Sequence, residues 1–327
     1  MIGGLEMLRG LAATLVVLFH LQAAAIAEGF NPGIFGWFMG GEVGVDVFFV
    51  LSGFVIFHAV RGRAELRPVA FLRQRFWRIG PPYWVTLALT LLVLAAQGAV
   101  RNDWENWPSL WSIAVSVLLL PLPGQVMPVA WTLTIEALFY VLFATTFFRL
   151  GTRGALCALT LWALMTQLLR FLPEPLPPAY GLISYSGVIE FLYGGLIATA
   201  VASGWQRGAY VCLCFGTLGI VAVVSGTVPL HWGREWVAGL PAAALVYGLA
   251  ASNWKVPSWA LIWGESSYVL YLIHLFVFSI TGTLLRIVGV APYGSNQAML
   301  VLAVLALSVS VTATLWLERP YRLWTRR

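Results

Sequence analysis

Charged side chains are scarce in this chain. Asp, Glu, Lys and Arg make up 10% of the 327 residues, whereas 60% of the residues are hydrophobic, and the mean hydropathy is +0.85. Soluble domains carry about 25% charged residues, so this chain cannot cover a water-exposed surface with polar groups. The composition excludes a soluble globular protein and predicts an integral membrane protein.

Cysteine is also rare, and the basic residues are dispersed. Cys157, Cys212 and Cys214 lie within apolar runs and form no CxxC or Cys/His pattern, so we expect packing roles and no bound metal. The net charge is +6, but the basic residues do not form a patch interleaved with aromatics. We therefore expect no nucleic-acid partner.

Ten apolar segments are long enough to cross a hydrocarbon core of about 30 Å. They lie near residues 9–28, 37–59, 82–100, 129–149, 153–171, 184–203, 208–226, 236–252, 265–288 and 297–317. The apolar stretch 110–122 is shorter and predicts a re-entrant or interfacial segment. The expected fold is an all-α integral membrane protein in the lipid bilayer, with about ten transmembrane helices in a single domain, 1–327.

The distribution of basic residues orients this topology. With the N-terminus in the cytoplasm, only four of the 19 Lys and Arg residues fall outside: Arg101, Arg170, Arg234 and Arg286. Cytoplasmic loops of membrane proteins carry an excess of Lys and Arg. Both termini are therefore predicted to be cytoplasmic.

Five ionisable side chains lie deep within the apolar segments: His20, Asp46, Glu136, Glu190 and His274. Such groups are costly in hydrocarbon and mark functional sites by default. They predict one polar chamber between the bilayer midplane and the outer face, with Glu136 and Glu190 in its outer half. The alternative is that each group makes a separate interhelical hydrogen bond.

The spacing of basic residues predicts where an anion binds. Arg9 and His20 are eleven residues apart, three helical turns, so they share a face with Ala13 and Val16 between them. This smooth strip would suit a thin, anionic substrate that enters from the cytoplasm. Arg75 and Arg78 could bind phosphates, although topological anchoring and anionic lipid also explain an arginine-rich loop.

Six motifs in order carry a family resemblance that covers nearly the whole chain. They are Met7-Leu8-Arg9-Gly10 with His20, GVDVFFVLSGFVI (44–56), FLRQRFWRIGPPYW (71–84), WTLTIEALFY (131–140), SYVLYLIHLFVF (267–278) and Glu318-Arg319-Pro320. Together they resemble the acyltransferase 3 family of bacterial membrane O-acyltransferases, which acylate exported polysaccharides, lipopolysaccharide and, in some members, antibiotics. The chain resembles the short, stand-alone members of the family, such as those that acetylate exopolysaccharide.

The resemblance implies an acyl-CoA donor from the cytoplasm, with acetyl-CoA expected, and no metal. It implies a hydroxyl-bearing acceptor, often a sugar at the outer side of the bacterial plasma (inner) membrane. Coenzyme A carries several phosphate charges, which Arg9, Arg75 and Arg78 would clamp. Neither the acyl chain, the acceptor nor the oligomeric state follows from the sequence.

Acyl transfer to an alcohol requires a base within hydrogen-bond reach of the hydroxyl group. His20 is the expected general base, because a neutral imidazole accepts a proton. Asp46 or Glu136 would orient it, and the choice between them stays open. His274 is either a second acid/base group or a structural partner of Tyr271. Direct transfer is favoured over an acyl-histidine or an acylated Ser52 or Ser267.

A transporter or flippase of a lipid-linked sugar or anion is the alternative function. It would also use ten spans, intramembrane carboxylates and a basic inner loop. Against it, the two halves of the sequence show no inverted repeat and no matched pair of broken helices.

Overall fold

The computed structural model describes residues 2–61, 67–169, 171, 180–252 and 254–324, and Arg63, Arg170, Arg326 and Arg327 lie outside them. Within these ranges the regular structure is helical throughout, because a backbone surrounded by lipid must satisfy its own hydrogen bonds. The helices are α1 Gly3–Ala27, α2 Gly44–Val60, α3 Pro68–Arg101, α4 Leu110–Val117, α5 Ala130–Leu169, α6 Tyr180–Ile183, α7 Val188–Ala202, α8 Ala209–Val224, α9 Arg234–Val237, α10 Gly239–Ala251, α11 Ser258–Glu265, α12 Ser267–Ile287, α13 Asn296–Ala313 and α14 Arg319–Trp324.

Six helical stretches are long and apolar enough to cross a membrane. They are Gly3–Ala27, Gly41–Val60, Pro68–Val100, Ala130–Leu169, Ser267–Ile287 and Asn296–Tyr321. Three further predicted segments contain the shorter helices α7, α8 and α10, with 15, 16 and 13 residues. The all-helical, multi-pass prediction is confirmed, whereas the count of ten spans and the cytoplasmic termini stay predictions.

The helices belong to two compact units. The first unit comprises Met1–Ala64 and Ile189–Arg327, and the second comprises Glu65–Val188. The prediction of a single domain remains a prediction.

Helix α1 lies at the centre of the first unit, where α2, α11 and α12 pack against it. Glycines allow this close packing. A Cβ atom at Gly44 would collide with the Ala12 carbonyl oxygen, and one at Gly264 would collide with the backbone of Glu6. On another face, Ala13 and Val17 of α1 share a buried core with Leu270 of α12 and other residues of α12 and α13. Small residues thus bring neighbouring backbones close to α1 on several sides.

The second apolar segment begins with 3₁₀ turns rather than with an α-helix. Two 3₁₀ turns, Gly33–Phe38 and Gly41–Val43, precede α2. Helix α2 therefore begins at Gly44, and Asp46 lies in its first turn. The sequence placed a span from residue 37, which put Asp46 deeper in the helix than the structure does.

Helices α3 and α5 pack together in the second unit. Their contact is aromatic, with Phe71 of α3 against Tyr140 and Phe143 of α5. The Tyr83 hydroxyl of α3 donates to the Ser116 carbonyl oxygen at 2.8 Å, which fastens the short helix α4 to α3. With eight residues, α4 is too short to span a bilayer.

A single glycine interrupts α5 and separates two predicted spans. Gly151 has φ 68° and ψ −167°, a backbone conformation that only glycine adopts readily. The sequence predicted separate segments at 129–149 and 153–171, and the break falls between them.

Replacing Gly151 with alanine tests this break. The new Cβ atom would have open space around it, so the expected cost is backbone strain of about 1–3 kcal/mol. Gly151→Ala should lower the melting temperature of the detergent-purified protein. Gly181→Ala is the matched control in the same unit, because Gly181 also has open space but no positive φ. Equal melting temperatures for the two variants would contradict the assignment.

Candidate functional site

Two predicted residues, His20 and His274, meet in the first unit. His274 Nε2 lies 3.3 Å from His20 Nδ1, and the ring centroids are 4.9 Å apart. His274 is fully buried, while His20 is half-buried. They come from α1 and α12, which run side by side. The structure therefore gives His20 a histidine partner, where the sequence predicted a carboxylate.

Backbone carbonyls fix the tautomers of both rings. His20 Nδ1 lies 2.8 Å from the Val16 carbonyl oxygen, and His274 Nδ1 lies 3.1 Å from that of Leu270. A carbonyl only accepts, so we assign the proton of each ring to Nδ1. His20 Nδ1–H then also faces the lone pair of His274 Nε2. No described residue forms a hydrogen bond with His20 Nε2, whose lone pair is available to a substrate.

Asp46 pairs with an arginine instead of with His20. Arg234, in the short helix α9, donates from Nε and Nη2 to the two Asp46 carboxylate oxygens, each at 2.8 Å. Asp46 has no exposed surface, and the Arg234 side chain is 16% exposed. A paired, doubly hydrogen-bonded charge is the form in which a carboxylate tolerates burial. Asp46 is therefore committed to Arg234, and an orienting role toward His20 has no contact to support it.

Further carboxylates surround Arg234. Glu42 accepts from Arg234 Nη1 at 3.0 Å. Glu190 is fully buried and interacts with Asp46, Arg234 and Glu235. Glu42 also interacts electrostatically with His20. The acidic cluster therefore adjoins the histidine pair, so His20, Asp46, Glu190 and His274 belong to one region of the first unit.

The strip between Arg9 and His20 is packed rather than open. Ala13 is fully buried in the core with α12 and α13, and Val16 is 1% exposed beneath Gly44. Arg9 pairs with Glu6 at 3.2 Å on its own helix. The expectation of an open path along this face of α1 is therefore wrong, because neighbouring helices fill it.

Glu136 belongs to the second unit, where it contacts Tyr140 and interacts electrostatically with Arg75. The Tyr140 hydroxyl donates to Glu136 Oε1 at 2.5 Å. The Arg75 guanidinium lies 6.0 Å from the Tyr140 ring centroid and 5.5 Å from that of Phe71, and it interacts electrostatically with Glu136. The sequence placed Arg75 at the cytoplasmic mouth and Glu136 in the outer half of the bilayer. The structure brings them together, because the long Arg75 side chain reaches toward α5.

Arg78 follows Arg75 by one helical turn on α3. The two guanidinium groups interact electrostatically, and because both are positively charged they repel each other. Tyr140 interacts with both of them. Arg75 and Arg78 thus form a half-buried, positively charged surface on α3. A bound anion would reduce the repulsion between the two guanidinium groups.

Sequence reasoning missed Arg234 and Glu42. Arg234 was counted as one of four basic residues outside the cytoplasm, and the pattern gave no reason to join it to Asp46. Its position was itself a signal. Most basic residues of the chain are predicted to lie on the cytoplasmic side, so a basic residue on the other side implies a partner close to it. Glu42 was overlooked because it lies near the start of a predicted span, where a charge costs less than at the bilayer centre.

Comparison with known sequences assigns a family. A family model described as an acyltransferase domain matches residues 2–319 of the chain. The match extends over both units and over the motifs named above, except for Pro320 at the end of the last motif. The chain is therefore an O-acyltransferase.

Several relatives are similar over much of the chain. The exopolysaccharide production protein ExoZ of Rhizobium meliloti is 28% identical over 300 residues, which is 86% of this chain and 89% of ExoZ. The acyltransferase MdmB of Streptomyces mycarofaciens is 26% identical over 307 residues, which is 84% of this chain and 78% of MdmB. The peptidoglycan O-acetyltransferase OatA of Listeria monocytogenes is 29% identical over 153 residues, which is 41% of this chain and 22% of OatA. No solved structure matches the chain.

The Arg234 cluster predicts a strong effect on stability. Arg234→Gln would leave the buried Asp46 carboxylate without its cation, at an expected cost of about 3–5 kcal/mol in the free energy of unfolding. Arg286→Gln is the control, because the Arg286–Glu28 pair is 47% and 35% exposed and such pairs contribute about 0–1 kcal/mol. The measurement compares the melting temperatures of the two variants in the same detergent, and Arg234→Gln should melt lower. If Arg234→Gln melts no lower than Arg286→Gln, the buried pair has no structural role.

Proposed function

Because this chain belongs to the acyltransferase 3 family, we propose that it moves an acyl group, with acetyl expected, from cytoplasmic acyl-CoA to a hydroxyl group of an exported or surface glycan. The observation that carries this proposal is the His20–His274 pair, which leaves His20 Nε2 available as a base. The names of ExoZ, an exopolysaccharide production protein, and of OatA, a peptidoglycan O-acetyltransferase, support a glycan acceptor.

The proposed reaction is a direct transfer. His20 Nε2 takes the proton of the acceptor hydroxyl as its oxygen attacks the thioester carbonyl carbon. The new C–O bond forms, the C–S bond breaks, and the proton passes from His20 to the sulfur of coenzyme A. Throughout, His20 Nδ1–H donates to Val16 and faces His274 Nε2, which stabilises the imidazolium in the way that a triad orienter does.

Acylated serine intermediates are less well supported. Ser267 has no exposed surface, and its hydroxyl has no hydrogen-bond partner among the described residues, so no base activates it. Ser52 is half-buried in α2 and forms none of the described contacts with His20. The proposed roles are therefore His20 as base and His274 as the residue that positions it.

The donor would bind through its phosphates. Arg75 and Arg78 form the charged surface on α3, and planar guanidinium groups suit phosphate oxygens. Arg9 stays a predicted phosphate ligand under the same proposal, with both termini in the cytoplasm. With ten spans and this orientation, the donor end faces the cytoplasm of a bacterial cell and the enzyme lies in its plasma membrane.

Substitution of the histidines tests the catalytic proposal. His20→Gln should lower acyl transfer at least about 10²-fold, because general-base catalysis contributes about 10²–10⁴-fold. His274→Leu should give an intermediate rate, because it removes the acceptor facing Nδ1 but leaves the base. His58→Gln is the control, since His58 is an exposed histidine that stacks on Phe54. Rates are compared at equal membrane levels, and near-normal activity of His20→Gln would refute the assignment.

Surface glycans distinguish the enzyme from a transporter. Deletion of the gene should remove ester-linked acyl groups from an otherwise normal polymer, as read by mass spectrometry. Membranes that contain the protein should transfer label from acetyl-CoA to the same glycan. If deletion abolishes export of the polymer and membranes transfer no label, the transporter or flippase is favoured.

A further inference from the structure

Glu42 lies in a turn that packs on α1 next to His20. It is the middle residue of the 3₁₀ turn Gly41–Val43. A Cβ atom at Gly41 would meet the Leu15 carbonyl oxygen and the Phe19 Cβ atom, so this turn contacts the helical turn that leads to His20. Glu42 interacts electrostatically with His20. The turn therefore places Glu42 beside the stretch of α1 that immediately precedes His20.

One guanidinium group holds Glu42 at two points. Arg234 Nη1 donates to the Glu42 carboxylate at 3.0 Å, and Arg234 Nη2 donates to the Glu42 carbonyl oxygen at 3.1 Å. Asp46 in turn holds Arg234 through two hydrogen bonds of 2.8 Å. The network therefore fixes both the backbone and the side chain of the turn.

The charges of this network do not cancel. Arg234 supplies one positive charge, which Asp46 engages with both carboxylate oxygens, and Glu42 shares the same cation through a single hydrogen bond. The Glu42 side chain is 39% exposed, whereas Asp46 has no exposed surface. Glu42 therefore retains negative charge on the side of the network that reaches His20. A cation that forms at His20 would be stabilised by it.

We propose that Glu42 stabilises the imidazolium that forms on His20 during acyl transfer, and that Arg234 and Asp46 are positioning residues that hold Glu42 in place. This inference rests on the proposed function, because it needs His20 to act as the base. Glu42 itself gains and loses no proton. The hydroxyl proton still moves to His20 Nε2 and then to the thiolate sulfur.

The most informative variant is Glu42→Gln. The Gln amide oxygen still accepts from Arg234 Nη1, so the variant removes the charge and keeps the hydrogen bond. We expect kcat to fall about tenfold, while KM for acetyl-CoA and for the acceptor stays within about twofold of the wild-type value. Glu42→Asp keeps the charge and should recover most of the lost kcat. Glu28→Gln is the matched control, because it removes a carboxylate of an ion pair at the C-terminal end of α1.

Rates are expressed per folded molecule, counted by size-exclusion chromatography of a fluorescent fusion, so that reduced yield does not imitate reduced catalysis. Wild-type kcat in Glu42→Gln would overturn the proposal. Equal losses in Glu42→Gln and Glu42→Asp would also overturn it, because they indicate a structural role. His20→Gln is measured in parallel. If His20→Gln is inactive while Glu42→Gln is normal, only this inference fails, whereas an active His20→Gln refutes the proposed base.

Discussion

The site in the first unit depends on how closely other backbones approach α1. Gly41 and Gly44 bring the start of α2 and its preceding turn against α1, and Gly264 brings α11 against it. A side chain at these positions would push the segments apart by the width of a methyl group or more. Such a shift would move the Gly41–Val43 turn, and Glu42 with it, away from α1, and would lengthen the 3.3 Å contact between His20 of α1 and His274 of α12. Packing of small residues is the usual means by which helices associate in membranes.

Charge compensation is the second constraint, and it explains why the acidic cluster is built around Arg234. Carboxylates within an apolar environment require a cation or hydrogen-bond donors. Asp46 receives both from a single guanidinium group, and the same group extends to Glu42. In the second unit, Arg75, Tyr140 and Glu136 satisfy the same requirement with a hydroxyl donor and an aromatic surface. In each unit an arginine from another helix thus stabilises a carboxylate, Asp46 in the first unit and Glu136 in the second.

Periodicity and apolar length predicted the helices and the intramembrane ionisable residues, because both predictions depend only on residues that are close together in the sequence. The Arg9–His20 spacing correctly indicated one face of α1, yet it gave no information on what covers that face, and α12, α13 and Gly44 fill it. The partners of Asp46 and His20 lie 188 and 254 residues away. Such pairings depend on helix order and rotation in three dimensions, which spacing within one segment does not encode. The proposed base, His20, is readable from a motif, whereas its contact with His274 is not.

The two histidine rings are each anchored to a carbonyl of their own helix, one turn earlier. The contact between the two rings therefore depends directly on how α1 and α12 are rotated about their axes. A rotation by one residue position would turn each ring through about 100° and abolish the contact, while every backbone hydrogen bond remained intact. Helical content is consequently a poor indicator of an active preparation. Under the proposed mechanism, lipids or detergents that let α1 and α12 rotate would inactivate the enzyme before they unfold it.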